Sequence, residues 1–189
     1  MVNTGILVPE APASDVISVP VVSISDGDGF QSSLWSRKRQ CEIRLFVRFG
    51  FIDAPEIGQQ GGEEARDFLR SLIGGRRVDI AILIKSDTGG IVDRHGRVVC
   101  VPYLTHKRED GDRPVWHSPG DIERPLRLPQ TFTRNIELEM VVNGWAWVLD
   151  RYGTDDRYFD ALEDAQRHRR GIWAYDDNMS PWEFKKLKY

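Results

Sequence analysis

The chain has 189 residues, 40% of them hydrophobic and six of them tryptophan, with a formal net charge of −3 and a pI near 5.8. That is enough apolar material for one domain with its own core, and it excludes an intrinsically disordered chain. It also excludes a protein that holds nucleic acid by bulk positive charge, so any polyanion has to be held by local arginines. No apolar run approaches membrane-spanning length, and the N-terminus lacks a basic start followed by an apolar core. The expectation is therefore a soluble, cytoplasmic protein with no membrane contact. Cys41 and Cys100 lie in strand-like runs without metal spacing and are read as buried thiols rather than a disulfide.

Residues 1–14 carry prolines and little periodicity and read as a flexible N-terminal arm. Residues 15–189 read as one domain with an irregular insertion at about 105–133. A first strand is expected over residues 16–24, running into Asp26-Gly27-Asp28-Gly29. These turn residues tolerate positive φ and most cheaply make a hairpin, although two aspartates at a strand end also offer oxygen to a hard cation. Strands are expected over 30–35 and 41–52, joined by Arg37-Lys38-Arg39, three cations read as a solvated tip. In the second of these strands Arg48 is planted among aromatics, and an arginine in that setting needs an anion. Pro55, which has no backbone N–H, ends the ladder between Asp53 and Glu56, so two carboxylates and an arginine converge on one strand end.

From residue 63 to 73 the apolar period becomes helical, with Ala65, Phe68, Leu69, Leu72 and Ile73 on one face and Gly74-Gly75 as the stop. Strands follow over 77–84 and 98–104. Between them Asp93-Arg94-His95-Gly96-Arg97 forms a tight bend that can aim Arg97 back across the sheet. The four prolines between 105 and 133 mark a long irregular loop, in which His106 and His117 lack partners for zinc. Helices are expected over 136–143 and 156–170. The second ends in Arg167-His168-Arg169-Arg170, where cations suit the helix dipole. Ile172-Trp173 and Pro181-Trp182 pack back, and 185–188 reads as a solvated end.

Short strands with a helix after the third and helices at the end give an α+β fold. It is expected to be a five-stranded OB-fold (Greek-key) β-barrel with about three packed helices. Asp26-Gly27-Asp28, Arg48 with Ile52-Asp53-Ala54-Pro55-Glu56, Asp93-Arg94-His95-Gly96-Arg97 and Asn143-Gly144-Trp145-Ala146-Trp147 occur in an order and spacing that resembles the staphylococcal nuclease (thermonuclease) family. The tail Arg169-Arg170-Gly171-Ile172-Trp173 is similar too, and the likeness runs from about residue 16 to 182 outside the insertion. The resemblance implies a Ca²⁺-dependent endonuclease, a hydrolase of phosphodiester bonds. Asp28, Asp53 and the carbonyl of Ala54 would be metal ligands, Glu56 the general base or water orienter, and Arg48 and Arg97 the phosphate-holding catalytic groups.

In the same pattern His95 and Tyr152 would lie beside the nucleotide. His95 stands where the family often has tyrosine, and Gly29 where it usually has threonine. The implied partner is single-stranded or locally melted DNA or RNA, met by a monomer; because the family has secreted members, secretion stays open beside the cytoplasmic expectation. The alternative is a catalytically weak OB-fold module that binds nucleic acid or protein. Such a degenerate copy would be expected to lose some of Asp28, Arg48, Asp53, Glu56 and Arg97, and this chain has all of them.

Overall fold

The computed structural model describes residues 5–10, 15–83, 92–107, 114–119, 130–150 and 153–188. The fold is α+β. Strands β1 (Val16–Pro20), β2 (Gly29–Ser36), β3 (Cys41–Phe49), β5 (Arg77–Ile82) and β6 (Arg97–Lys107) form a sheet of order β1-β5-β6-β3-β2, to which β7 (Thr131–Asn135) adds by pairing with β6. The other pairings are antiparallel, and only β3 with β6 is parallel. The sheet curls until its ends meet, but the junction is a single bridge between Ser23 and Gln31 rather than a ladder. The architecture is OB-like, with its ring fastened at one point.

Alternation along β2 and β3 explains the curl. Phe30 and Ser32 from β2 and Val47 and Phe49 from β3 point inward and are buried, while Trp35, Glu42, Arg44 and Phe46 face outward. β6 is a central strand with α2 packed against it, and its residues 98–104 are buried without alternation, as expected where both faces are covered. Helix α1 (Gly62–Ile73) lays Ala65, Leu69, Leu72 and Ile73 on the core, and the Gly74 N–H caps it on the Arg70 carbonyl. Helices α2 (Ile136–Val142), α3 (Asp156–Arg167) and α4 (Pro181–Lys188), with a 3₁₀ turn at Gly171–Ala174, follow, so the described residues hold four α-helices.

The structure departs from the sequence reading at several places. The strand expected over 41–52 is two strands in two sheets. β3 stops at Phe49, the Phe51 N–H turns to the Glu137 carboxylate, and β4 (Ile52–Asp53) pairs with β8 (Trp147–Val148). Residues 5–10 of the expected loose arm are docked. Leu7 is fully buried, Ile6 donates its N–H to the Asn143 side chain and Val8 donates its own to Glu139. At the expected insertion, β6 continues to Lys107 and β7 returns from Thr131, so the connection leaves from and returns to one hairpin. Cys41 is exposed; Cys100 is buried.

Candidate active site

The site is the corner where β3 hands the chain to β4. Arg48, three residues before the corner turns, sends Nη2 to Asp53 Oδ1 at 2.6 Å and to Asp28 Oδ2 at 3.2 Å. Its Nη1 donates to the carbonyls of Asp28 and Phe49. Asp28 Oδ2 also accepts the Ala54 N–H at 2.7 Å, so the turn after β1 is stitched to β4 through one carboxylate. Gly27 makes this possible: a Cβ there would sit 2.7 Å from that of Ala54 and 2.9 Å from that of Ala65. The Asp26-Gly27-Asp28 segment is thus both the expected turn and part of a cavity wall. Glu56 is placed by the next turn, whose tightness depends on Gly62; a Cβ at that position would come within 2.0 Å of the Glu56 carbonyl.

Asp26, Asp28, Arg48, Asp53, Glu56 and Arg97 line one cavity of about 270 Å³, and a second hollow beside it is lined by Arg48, Asp53, Asp93 and Arg97. Arg97 reaches the cavity from the start of β6. Its own side chain is held by Asp93 at 2.9 Å, and 41% of it stays exposed, against 11% for Arg48. One arginine is therefore a fixture, and the other is tethered loosely enough to move onto a ligand.

Burial and mutual repulsion set the electrostatics. Asp53 is pushed up to about 6 by burial and then by the charge of Asp28, with Arg48 and Lys185 pulling the other way. Asp26 is likewise pushed up to about 6, by burial and by Asp28. Burial alone would lower Arg48, but Asp28 and Asp53 outweigh it and raise it. Three carboxylates around one guanidinium leave the wall short of positive charge.

Among the described residues no three His, Cys, Asp or Glu side chains form a ready-made metal cage. The donor set nonetheless fits a hard cation. Asp26 Oδ1 is buried without a hydrogen-bond partner beside Asp28, and the carboxylates of Asp28 and Asp53 converge on a single positive nitrogen. Oxygen donors of this kind suit Ca²⁺, which fills its shell with waters and backbone carbonyls where side chains run out.

Two further residues are expected beside the nucleotide. His95 sits exposed on the Asp93–Arg97 turn, where its N–H donates to Asp93 and its Nε2 accepts from Arg94; it is not among the cavity-lining residues. Tyr152 lies outside the described residues. The residue that sequence reasoning missed is Lys185. The end of α4 is exposed over residues 185–187, yet it carries Lys185 Nζ to 2.8 Å from Glu56 Oε1 and 3.6 Å from Asp53 Oδ1. Signals for it were available. Ser180-Pro181-Trp182-Glu183 is a capping box, with Glu183 Oε2 accepting the Ser180 N–H and Ser180 Oγ the Glu183 N–H, and proline stands at the first helical position. Trp182 packs edge-on against Trp147, and the position one turn on is Lys185.

With this geometry in hand, comparison with known proteins gives one family. The staphylococcal nuclease homologue family matches residues 46–175, more than half of the chain. The chain is 31% identical over 185 residues to a micrococcal nuclease of Shigella flexneri, covering 96% of this chain and 87% of the relative. It is 26% identical over 168 residues to an uncharacterized endonuclease of Escherichia coli, covering 89% and 84%. A probable staphylococcal-like nuclease of Oryza sativa subsp. japonica is 30% identical over 150 residues, 79% of this chain but 23% of that protein. The class defined by fold and site is that of the endonuclease-type hydrolases. The chain belongs to the staphylococcal nuclease family.

Proposed function

We propose that the protein is a Ca²⁺-dependent nuclease acting as a monomer on single-stranded or locally melted DNA or RNA, leaving 3′-phosphoryl ends. The observation that carries the reading is the convergence of Asp28, Arg48, Asp53, Glu56 and Arg97 from separate parts of one chain on a single cavity. Hydrolysis of a phosphodiester adds charge to the equatorial oxygens of an already anionic phosphorus. Preorganised donors aimed at that charge are worth most where water is excluded.

Arg48 is such a donor, locked by two carboxylates and two carbonyls before any substrate arrives. Arg97, the more exposed partner of its pair, leaves only Asp93 to meet a phosphate, and its planar fork suits two oxygens at once. Glu56 lines the same cavity, where its carboxylate can accept a proton from an attacking water. Lys185 holds that carboxylate in place and adds positive charge beside it. A Ca²⁺ ion held by Asp28, Asp53 and the Ala54 carbonyl would supply Lewis-acid charge and orient water when bound. His95 and Tyr152 are assigned to the nucleotide only through the family pattern.

The test is incubation of the purified protein with single-stranded DNA and RNA, first with Ca²⁺ and then with a chelator. Cleavage that stops on chelation and resumes on adding back Ca²⁺ is expected. Cleavage indifferent to chelator would refute the metal assignment, and no cleavage of either polymer would refute the enzyme.

A further inference from the structure

The cavity does not end at the catalytic groups. Phe46 and Gln31 also line it, and both belong to the outward face of the β2–β3 hairpin. The register fixes what lies further along that face. Phe46 pairs with Gln31 and, on its other side, with Arg97; Arg44 pairs with Ser33 and Glu42 with Trp35. Phe46, Arg44 and Glu42 alternate on one strand, so they share a face with Gln31, Ser33 and Trp35. At about 3.4 Å per residue, Trp35 lies on the order of 14 Å from Phe46 along the hairpin, with Arg44 midway.

The two aromatic residues are among the most exposed large apolar side chains among the described residues, at 51% for Phe46 and 63% for Trp35. Beyond Trp35 the loop 37–40 closes on a Gln40 in left-handed conformation and presents Arg37, Lys38 and Arg39 to solvent. Residues 36–46 therefore hold four cations against the one carboxylate of Glu42, in a chain whose net charge is −3. Local cations cluster where the whole-chain field is unfavourable, and apolar rings stand in water beside them.

We propose that the outer face of this hairpin is a binding track for a single-stranded polynucleotide leading into the cavity. Bases stack on Phe46 and Trp35, Arg44 holds a phosphate between them, and Arg37, Lys38 and Arg39 hold the strand beyond. Aromatic platforms alternating with cations are what a sequence-tolerant single-strand surface requires. The occupant follows from continuity with the phosphate-binding cavity and from charge. The inference rests on the nuclease reading for the direction of the strand, and not for its binding.

Binding is measured by fluorescence anisotropy in chelator, with 5′-labelled oligothymidylate of four and of twelve nucleotides and oligouridylate of twelve. The double variant Trp35→Ala with Arg44→Ala is expected to weaken both dodecanucleotides at least about tenfold, because each stacked base contributes strongly. The tetranucleotide, which the cavity groups and Phe46 can hold without the rest of the hairpin, is expected to change less than about twofold. A second variant, Arg37→Gln with Lys38→Gln and Arg39→Gln, touches exposed groups and is expected to flatten the log–log salt dependence by about 2, some 0.7 per lost phosphate contact. Unchanged dodecanucleotide affinity in the first variant, or an unchanged salt slope in the second, would overturn the track. Hairpin-dependent binding without hydrolysis once Ca²⁺ is added would sustain the track and sink the nuclease reading. Hydrolysis with hairpin-independent binding would do the reverse.

Discussion

Two arginines in this fold are buried among carboxylates, and they serve opposite ends. Arg134 and Glu139 are 3% and 0% exposed at their side chains, and their two-point pair is matched charge for charge. Glu139 spends its remaining capacity on the Val8 N–H, clamping residues 5–10 to the body. Arg48 is nearly as enclosed but is outnumbered, facing Asp26, Asp28 and Asp53 across a cavity wall. A balanced buried pair is a fastening. An unbalanced one beside a cavity wants another cation and presents a fixed donor to whatever anion enters.

The comparison can be broken first at its structural half. Arg134→Ala strands a carboxylate with no exposure, which costs about 3–5 kcal/mol. Urea unfolding should show that loss, while turnover of the protein that remains folded stays close to the parent's. A small stability change would mean that the pair is not the fastening described. At the other half, Arg48→Ala and Arg97→Ala should each lower turnover on the order of 10²-fold or more, as removal of one preorganised donor does elsewhere. Because Arg97 is tethered only by its own turn, its variant should keep the parent's unfolding midpoint. Normal kcat in both purified variants would dissolve the contrast between fastening and site.

Glu137 sharpens the comparison through pH. Burial pushes it up to about 8 against an ordinary 4.5, although the Phe51 N–H and Tyr158 hydroxyl favour its charged form. The folded chain therefore binds a proton that the unfolded chain has released between those values. The stability it lends is fully present below about 4.5 and is lost as pH rises toward 8. Glu137→Gln, always neutral, should gain on the parent across that window by at most about 1.4 kcal/mol per pH unit. A stability difference that stays flat from acid to alkaline buffer would refute this. The smallest effect is expected at Lys185. Removing this partly exposed cation from beside Asp53 and Glu56 should tighten Ca²⁺ binding by no more than about fivefold, in keeping with exposed ion pairs. Calorimetric titration giving weaker binding would show that Lys185 supports the metal rather than competing with it.

Much of the site was legible because its chemistry is local in sequence. Arg48, Asp53, Ala54 and Glu56 lie within nine residues, and Pro55 announces where the strand must end. Asp28 and Arg97 could be added from their turns, whose Asp and Gly content states the backbone they need. Lys185 stayed hidden because its partners Asp53 and Glu56 are more than a hundred residues away in the chain. The docking of residues 5–10 was hidden for the same reason, since Gly5-Ile6-Leu7-Val8-Pro9-Glu10 is too short to show a period and its partners Glu139 and Asn143 are distant in the chain. Glu137 and Tyr158, which hold the Phe51 corner from behind, are brought there only because α2 buries its acidic first turn.

The sequence by itself determined the periods, and periods are local. Alternation on β2 and β3, the helical stripe of α1, the turn residues and the order of the charged motifs all follow from steric preferences within a few residues. Tertiary structure alone decided that β3 gives way to a second sheet past Phe51, that α4 delivers a lysine to the carboxylates, and that Phe46 and Gln31 of the hairpin line the same cavity as the charged groups. Those outcomes depend on which distant groups compete for one backbone N–H or one charge. Such competition is settled by burial, which no stretch of chain carries on its own.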